Sequence, residues 1–217
     1  MSFKSAQTNM IKQQLRTGNV LEEQILSLYD EIPRHEFVPP KYESFAYSDA
    51  QIDLGNGQRM MTPLEEGLLL QSLNLKGHET VLEIGTGTGF LTAMLSRLCK
   101  HVISVEYYDT FTAHAEQRLQ KLGCKNVTLH TGDASQGWFD SAPFDVILIT
   151  SGIESITESI RLQVLPGGKL FAIVGQAPTM KAQLHHLTHT EIWSHETVYE
   201  TCLPPLINKI KTTGFVF

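Results

Sequence analysis

The sequence predicts one α/β domain built on a mostly parallel sheet with helices on both faces. Strand-like and helix-like segments alternate from Thr80 to Thr150, and a glycine-rich turn joins the first of these strands to a helix. With 217 residues, 41% of them hydrophobic, the chain is long enough to close one such core. Two strand-like stretches near the C-terminal end, 181–190 and 196–203, predict that the sheet ends in antiparallel strands.

Composition argues against several classes of protein. The net charge of −6, from 17 basic and 23 acidic residues, argues against binding that depends on neutralising phosphates, so we expect no nucleic-acid partner. Cys99, Cys124 and Cys202 are too far apart for a zinc or redox motif and are expected to be reduced thiols. The N-terminus lacks the apolar core of a signal peptide, and no apolar run approaches about twenty residues. We therefore expect a cytoplasmic protein that does not enter the membrane.

The first 62 residues differ from the rest of the chain. Helical patterns cover 5–16 and 21–31, with Asn19 and Glu22 at the spacing of a capping box. Prolines and glycines interrupt the stretch 32–58, which is predicted to be mostly loop. We expect residues 1–62 to form a helical and loop lid within the same domain, over a core formed by residues 63–217.

The core begins with a helix signal and continues as alternating strands and helices. Thr62, Pro63 and Glu65 provide an N-cap, a first-turn proline and a capping-box glutamate. A turn is expected at Pro166-Gly167-Gly168. Strands are predicted at 80–84, 101–106, 127–131, 145–150 and 169–174, and helices at 90–98, 110–122 and 155–164.

The most informative motif is the run Val81-Leu82-Glu83-Ile84-Gly85-Thr86-Gly87-Thr88-Gly89. It predicts a buried strand, a turn whose backbone a ligand can approach closely, and the start of a helix. Dinucleotide sites require G-x-G-x-x-G, whereas Phe90 occupies the place of the last glycine of that fingerprint. A nicotinamide cofactor is therefore disfavoured.

Acidic residues at strand ends indicate a different ligand. Glu83 suits a ligand that carries an ammonium and a sulfonium, as S-adenosylmethionine does. Glu106, at the end of the next strand, can accept two hydrogen bonds from ribose hydroxyls, and Asp133 can contact the adenine amino group. The alternative is a structural turn with strand-end acids that contact solvent or cap helices. The predicted cofactor-binding residues are Glu83, Gly85, Thr86, Gly87, Gly89, Glu106, Gly132, Asp133 and Ala134.

Further motifs identify a family. They are Gln14-Leu15-Arg16, Ile32-Pro33-Arg34-His35-Glu36-Phe37-Val38-Pro39, Ala46-Tyr47-Ser48-Asp49, Gly55-x-Gly57-Gln58, Gly132-Asp133, Gly137-Trp138 and Leu165-Pro166-Gly167-Gly168. In these motifs the chain resembles the protein-L-isoaspartate O-methyltransferases, from about residue 10 to about residue 175. The resemblance implies a Rossmann-like fold with a mixed seven-stranded sheet and bound S-adenosyl-L-methionine. It also implies methyl transfer to the carboxylate of L-isoaspartyl residues in damaged proteins, which permits succinimide formation and repair.

One departure from the family pattern affects the acceptor side. Members of the family usually have G-Q-T-I-S-x-P, with the serine contacting the reacting carboxylate, whereas Met61 stands at that position here. Thr62 could substitute for the serine, although an N-cap role is the simpler interpretation. Asp49 matches a family position near the substrate, and Arg59 could pair with an acceptor carboxylate. An Asx-turn for Asp49 and a solvated surface position for Arg59 are the structural alternatives.

The departure leaves three functions open. The first is isoaspartyl methylation; the second is a diverged methyltransferase that acts on another protein group or a small molecule. The third is a non-catalytic module that binds the cofactor or a partner protein. No metal site is expected, because His185, His186 and His189 lack nearby carboxylate or cysteine partners, and we expect them to form a surface cluster. The sequence does not indicate an oligomeric state.

Overall fold

The computed structural model describes residues 2–188 and 192–208. Its N-terminal part contains α1 (Phe3–Met10), a π-helical turn (Ile11–Leu15), α2 (Glu23–Glu31), 3-10 helices at Arg34–Glu36 and Pro40–Phe45, and the hairpin β1 (Ile52–Gly55) and β2 (Gln58–Met60). The core contains α3 (Pro63–Leu73), β3 (Thr80–Ile84), α4 (Phe90–Leu98), β4 (His101–Glu106), α5 (Asp109–Lys121), β5 (Val127–Thr131), β6 (Phe144–Ile153), α6 (Glu158–Arg161), β7 (Val164–Gln176), β8 (Thr179–Leu187) and β9 (Trp193–Thr201).

Seven of the described strands form one mixed sheet in the order β5-β4-β3-β6-β7-β8-β9. The pairs from β5 to β7 are parallel, and β8 and β9 are antiparallel to their neighbours. Because β4 and β6 flank β3 on opposite sides, the winding reverses there and a crevice is expected at the carboxyl ends of these strands. The structure thus confirms the predicted fold class, including the antiparallel end of the sheet.

Two hydrophobic clusters cover the two faces of the sheet. One contains Ile84, Phe144 and Ile147, and the other contains Val81 and Phe171. The second cluster also includes residues of the N-terminal part, among them Met10, Leu15, Tyr29 and Phe37. The N-terminal helices therefore pack on one face of the sheet, while the role of residues 1–62 as a lid stays a prediction.

The start of α2 differs from the prediction. Glu22, not Asn19, occupies the N-cap position, and its side chain makes no capping hydrogen bond. Instead, Oε1 of Gln71 in α3 accepts hydrogen bonds from the backbone N–H of Leu21 at 2.7 Å and of Glu22 at 3.0 Å. The predicted capping box at this helix was wrong, because a tertiary contact from α3 satisfies these amides.

Three further segments were predicted incorrectly. The stretch 32–58, expected to be mostly loop, contains two 3-10 helices and strand β1. The helix expected at 155–164 is limited to Glu158–Arg161, because Val164 pairs with Phe144 as part of β7. Residues 166–168, expected to form a turn, lie within β7, where the pairing register shifts. Among the described residues, no helix combines the length and the apolar character needed to cross a membrane.

Candidate cofactor and acceptor site

The glycine loop connects β3 to α4 and is held against β6. Gly85 has a φ of +100°, and a Cβ atom at this position would collide with Oγ1 of Thr150. That hydroxyl lies 3.0 Å from the carbonyl oxygen of Ile84 and 2.9 Å from that of Gly85. Glycine is therefore required both by the backbone conformation and by the close approach of β6.

Glu106 joins the end of β4 to the glycine loop. Its Oε2 accepts a hydrogen bond from the backbone N–H of Gly87 at 2.8 Å, and its Oε1 accepts one from the N–H of Tyr108 at 3.0 Å. Because each carboxylate oxygen has two lone pairs, both oxygens can still accept a hydroxyl donor. The geometry thus places a hydrogen-bond acceptor directly beside the loop, and its contact with ribose hydroxyls stays a prediction.

Asp133 lies on the same edge of the sheet, after β5. Its Oδ1 accepts a hydrogen bond from the N–H of Ser135 at 2.9 Å, and its Oδ2 accepts one from Nδ2 of Asn208 at 3.0 Å. Partial burial acts to raise the pKa of Asp133, but these hydrogen bonds outweigh burial and lower it below its ordinary value. The side chain therefore remains an ionised acceptor at neutral pH.

These residues surround one cavity, which we name the cofactor cleft. Of the predicted cofactor residues, Gly85, Gly87, Glu106, Gly132, Asp133 and Ala134 line it. Sequence reasoning missed several other lining residues, which include Leu54, Tyr107, Tyr108, Phe111, Ser135, Thr150 and Leu206. Tyr107 and Tyr108 directly follow Glu106 in the chain, and this adjacency was the signal that could have identified them. Leu206 had no such signal, because only the folded chain brings it to the cleft.

Three predicted residues lie close to the loop but do not line the cofactor cleft. Gly89 is the N-cap of α4, and Thr86 lines a neighbouring cavity. Glu83 is buried beneath the loop, where its Oε2 accepts hydrogen bonds from Thr92 Oγ1 at 2.5 Å and from Ser104 Oγ at 2.6 Å. Thr86 Oγ1 also lies 2.6 Å from Ser104 Oγ. The hydroxyls of Thr86 and Ser104 therefore connect the loop to Glu83 by hydrogen bonds.

Burial dominates the electrostatics of Glu83. It raises the pKa of this carboxyl to about 7, against the opposing effect of the hydrogen bonds from Ser104 and Thr92. The second oxygen, Oε1, is buried without a hydrogen-bond partner among the described residues. The structure thus places Glu83 deeper than the sequence predicted, and its contact with a cofactor ammonium stays a prediction.

A second cavity, which we name the inner cavity, shares Leu54, Arg59, Gly85, Gly87 and Thr150 with the cofactor cleft. It is also lined by Met60, Met61, Glu66, Thr86, Thr88 and Leu91. Met61, at the position of the family serine, is buried here. Met61, which replaces the family serine, and the glycine loop therefore line the same cavity.

A buried ion pair supports the inner cavity. Arg34 Nη1 contacts Glu66 Oε2, and Nη2 donates a hydrogen bond to the carbonyl oxygen of Met61 at 2.6 Å. The guanidinium carbon lies 4.9 Å from the ring centroid of Phe90. Burial raises the pKa of Glu66 to about 8, although Arg34 acts in the opposite direction. Sequence reasoning assigned no role to Arg34 or Glu66, because their pairing depends on the packing of α3 against the N-terminal part.

The three residues predicted for acceptor chemistry have different positions. Arg59 is exposed and lines both cavities. Thr62 acts as the N-cap of α3, where its Oγ1 accepts a hydrogen bond from the N–H of Glu65 at 3.2 Å, which completes the predicted capping box. Asp49 is exposed and lies outside the linings of both cavities. The structure therefore brings Arg59 to the site, whereas the catalytic roles of Thr62 and Asp49 stay predictions.

His185 and His186 lie outside the linings of the cofactor cleft and the inner cavity. His185 is buried, and its ring stacks on that of His195 with centroids 4.9 Å apart; it was expected on the surface. His189 lies outside the described residues. Within residues 2–188 and 192–208, no group of three or more acidic, cysteine or histidine side chains is arranged to hold a metal ion.

Comparison with known sequences places the chain among carboxyl methyltransferases. The family model described as Protein-L-isoaspartate(D-aspartate) O-methyltransferase (PCMT) matches residues 5–209. The protein-L-isoaspartate O-methyltransferase 1 of Syntrophobacter fumaroxidans is 38% identical over 175 residues, which cover 81% of this chain and 82% of the relative. The protein-L-isoaspartate O-methyltransferase of Brucella anthropi is 32% identical over 207 residues, with 95% of both chains covered.

Solved structures give the same result at the level of the fold. A protein-L-isoaspartate O-methyltransferase structure superimposes with a TM-score of 0.77 at 25% identity, covering 94% of this chain and 65% of that one. A structure from Plasmodium falciparum, described as a β-aspartate methyltransferase in complex with S-adenosyl-L-homocysteine, also has a TM-score of 0.77. Its identity is 15%, and 95% of this chain and 98% of that chain are covered.

Proposed function

The chain belongs to the protein-L-isoaspartate O-methyltransferase family, and we propose that it transfers a methyl group from S-adenosyl-L-methionine to the carboxylate of L-isoaspartyl residues in proteins. The observation that carries the proposal is the convergence of the glycine loop, Glu106 and Asp133 on one cleft. The inner cavity, with Arg59 at its wall, adjoins this cleft and can admit an acceptor. Cofactor and acceptor groups thus have adjacent sites on one edge of the sheet.

The residues of the cofactor cleft fit S-adenosyl-L-methionine, which supplies an electrophilic methyl group on a sulfonium when it is bound. Glu106 would hold the ribose hydroxyls, and Asp133 would accept from the adenine amino group. The exposed ring of Tyr107 offers an aromatic surface beside the adenine position. Glu83, buried beneath the loop with Oε1 unpartnered among the described residues, would favour a cationic ligand in the cleft through its charge.

Alignment, not proton removal, is the task of the acceptor side. The free carboxyl of an isoaspartyl residue is its α-carboxyl, whose ordinary pKa is about 3.5, so the acceptor is already ionised at neutral pH and needs no general base. Arg59 would pair with this carboxylate, because its guanidinium matches carboxylate geometry and no described carboxylate lies within ion-pair distance of it. The apolar side chains of Met60, Met61 and Leu91 would exclude water from the line of transfer.

The buried pair beneath the inner cavity limits electrostatic repulsion. An ionised Glu66 alone would repel an incoming carboxylate, but Arg34 contacts it directly. The wall around Met61 therefore presents little net negative charge to the acceptor.

Two other functions are the alternatives to isoaspartyl methylation. A diverged methyltransferase would use the same cleft for another protein group or a small molecule, because Met61 removes the serine hydroxyl of the family pattern. A non-catalytic module would bind the cofactor without turnover. Roles of Asp49 and Thr62 toward the acceptor, and a cytoplasmic location, remain predictions from the sequence.

Transfer of labelled methyl from S-adenosyl-L-methionine to an isoaspartyl peptide tests the proposal, with the normal aspartyl peptide of the same sequence as the control. We expect base-labile label on the isoaspartyl peptide alone. The variant Arg59→Gln should raise KM for the peptide about tenfold or more, and this loss should exceed any loss of cofactor affinity, which is measured in parallel because Arg59 also lines the cofactor cleft. Tight cofactor binding without transfer to either peptide would discard isoaspartyl methylation and favour one of the two alternatives.

A further inference from the structure

A third cavity, of about 370 Å³, adjoins the cofactor cleft and the inner cavity. We name it the α5 cavity, because Phe111, His114 and Arg118 of helix α5 form one wall, and Pro39 and Pro40 of the N-terminal part form another. Leu54 and Gly87 line all three cavities. A polypeptide whose reacting residue enters the inner cavity therefore has neighbouring residues within reach of the α5 cavity, since consecutive Cα atoms are only about 3.8 Å apart.

Arg118 is the main polar group of this cavity. It is half-buried, and its Nη1 donates a hydrogen bond to the carbonyl oxygen of Thr88 at 3.2 Å. A guanidinium has five N–H donors, so this bond leaves others available. Within the described ranges, no carboxylate lies within ion-pair distance of Arg118. The side chain is thus a partly desolvated cation whose charge is not neutralised, and burial lowers its pKa.

Four charged residues that lie near the lining residues in sequence form two ion pairs with each other. Glu36 accepts a hydrogen bond from Lys121 Nζ at 2.6 Å, which also fastens the N-terminal part to α5. Lys41 lies 3.7 Å from Asp53. Neither carboxylate is therefore needed to balance Arg118, and the cavity keeps a positive charge.

The shape of the wall suits a side chain with an apolar stem and a charged end. His114 and Arg118 are four residues apart and lie on one face of α5, so both can approach the same ligand group. Pro39, Leu54 and Phe111 add apolar surface beside them. A carboxylate on a short methylene stem satisfies both parts of this surface, because a guanidinium binds carboxylates through parallel hydrogen bonds.

We propose that the α5 cavity binds an acidic side chain of the protein substrate, a few residues from the isoaspartyl residue, through Arg118. This rests on the proposed function and adds a preference to it: segments with Asp or Glu near the damaged residue are the better substrates. A free C-terminal carboxylate has the same chemistry, but a polypeptide has one C-terminus and many acidic side chains, so the side chain is the source we assign.

The test uses peptides that contain one isoaspartyl residue and are acetylated and amidated, so that terminal charges are absent. Glu, Gln or Lys is placed at each of about three positions on either side of the isoaspartyl residue, a span within reach of the cavity. We expect kcat/KM for the Glu peptide to exceed that for the Gln peptide about tenfold at one position or more, with the Lys peptide lower still.

Variants then assign the preference to one residue. In Arg118→Gln the ratio of kcat/KM between the Glu and Gln peptides should approach one, and in Arg118→Glu the Lys peptide should become the best. Since each ratio is taken within one variant, a general loss of activity or stability cancels. The control Lys125→Gln removes an exposed cation outside the cavity and should keep the wild-type ratio.

Equal use of the Glu and Gln peptides at every position would overturn the proposal, as would a preference that survives in Arg118→Gln. A gain seen only when a Gln peptide is given a free C-terminus would assign the cavity to a terminal carboxylate and would also overturn it. In each of these cases methylation of the Gln peptides still supports the proposed function. If no peptide in the panel is methylated, the proposed function fails and this inference fails with it.

Discussion

The carboxylate of Glu106 accepts the backbone N–H of Gly87 at 2.8 Å, so the end of β4 and the glycine loop form one rigid unit. The same carboxylate faces the cofactor cleft. A single side chain therefore positions the loop and offers an acceptor to the ligand. We expect both roles to require an acid at the end of this strand, which makes Glu106 an informative position for mutation.

The variant Glu106→Ala should lower the affinity for S-adenosyl-L-methionine by at least about tenfold, because hydrogen bonds to a charged group are lost on both sides of the carboxylate. Isothermal titration with the cofactor and with S-adenosyl-L-homocysteine measures the change. Glu116→Ala, which removes an exposed acid of α5, is the matched control and should bind as the wild type does. Unchanged affinity in Glu106→Ala would show that the cofactor is bound elsewhere.

Gly85→Ala should destabilise the protein by about 1–3 kcal/mol more than Gly123→Ala, which is the cost of overpacking a site that has no room. Both glycines have positive φ, +100° at Gly85 and +74° at Gly123. A Cβ at Gly123 has nothing within 4 Å, whereas one at Gly85 collides with Thr150. Denaturant unfolding measures the loss of stability in each variant, and the difference between the two losses reports the collision with Thr150, because backbone strain is present in both. Equal destabilisation would contradict the assigned role of Thr150.

Replacing Met61 tests the acceptor side of the site. Met61→Ser and Met61→Ala remove the same buried side chain, so both should lose about 2–5 kcal/mol of stability. Only the serine adds a hydroxyl that can donate to an isoaspartyl carboxylate, and we expect its kcat/KM to exceed that of the alanine variant about fivefold or more. Cofactor affinity should be similar in both. Identical kcat/KM values would mean that the acceptor does not contact position 61.

The buried carboxyl of Glu83 makes stability depend on pH. Its pKa is raised from 4.5 to about 7 in the folded protein, so the folded state holds this proton more tightly than the unfolded state does. Stability from Glu83 is therefore fully present below pH 4.5 and is lost as the pH rises through about 7. The total loss is on the order of 3 kcal/mol.

Glu83→Gln should remove this pH dependence. The difference in unfolding free energy between wild type and variant, measured by denaturant unfolding from pH 4.5 to 8, should shift in favour of the variant as the pH rises. Glu116→Gln, at an exposed position, should follow the wild-type profile. A difference that stays constant with pH would mean that Glu83 titrates alike in both states.

Local sequence signals predicted the parts of the fold that depend on neighbours in the chain. Strands β3, β4 and β5 and helix α4 have the predicted bounds, because each is a hydrophobic run closed by glycines or polar residues. The capping box of Thr62 and Glu65 was likewise confirmed. The cofactor cleft followed from the same logic, since the carboxyl ends of adjacent parallel strands must meet.

The parts of the fold and site that the sequence did not predict depend on tertiary contacts, which local sequence patterns do not indicate. Gln71 replaces the expected cap of α2, and pairing with β6 draws Val164 into β7 at the expense of a helix. The wall of the inner cavity depends on Arg34 and Glu66, which are far apart in sequence and meet only after the N-terminal part packs on α3. The sequence predicted that the strand of Glu83 is buried, but it did not predict that the Glu83 side chain lies beneath the loop and outside the cleft lining.

Isoaspartyl methylation is tested most directly by mass spectrometry of one isoaspartyl peptide incubated with the protein and S-adenosyl-L-methionine. We expect a methyl ester to form first, followed by the succinimide and then by the normal aspartyl peptide, with no change in a matched aspartyl peptide. Absence of the ester while calorimetry shows the cofactor bound would contradict isoaspartyl methylation by this chain.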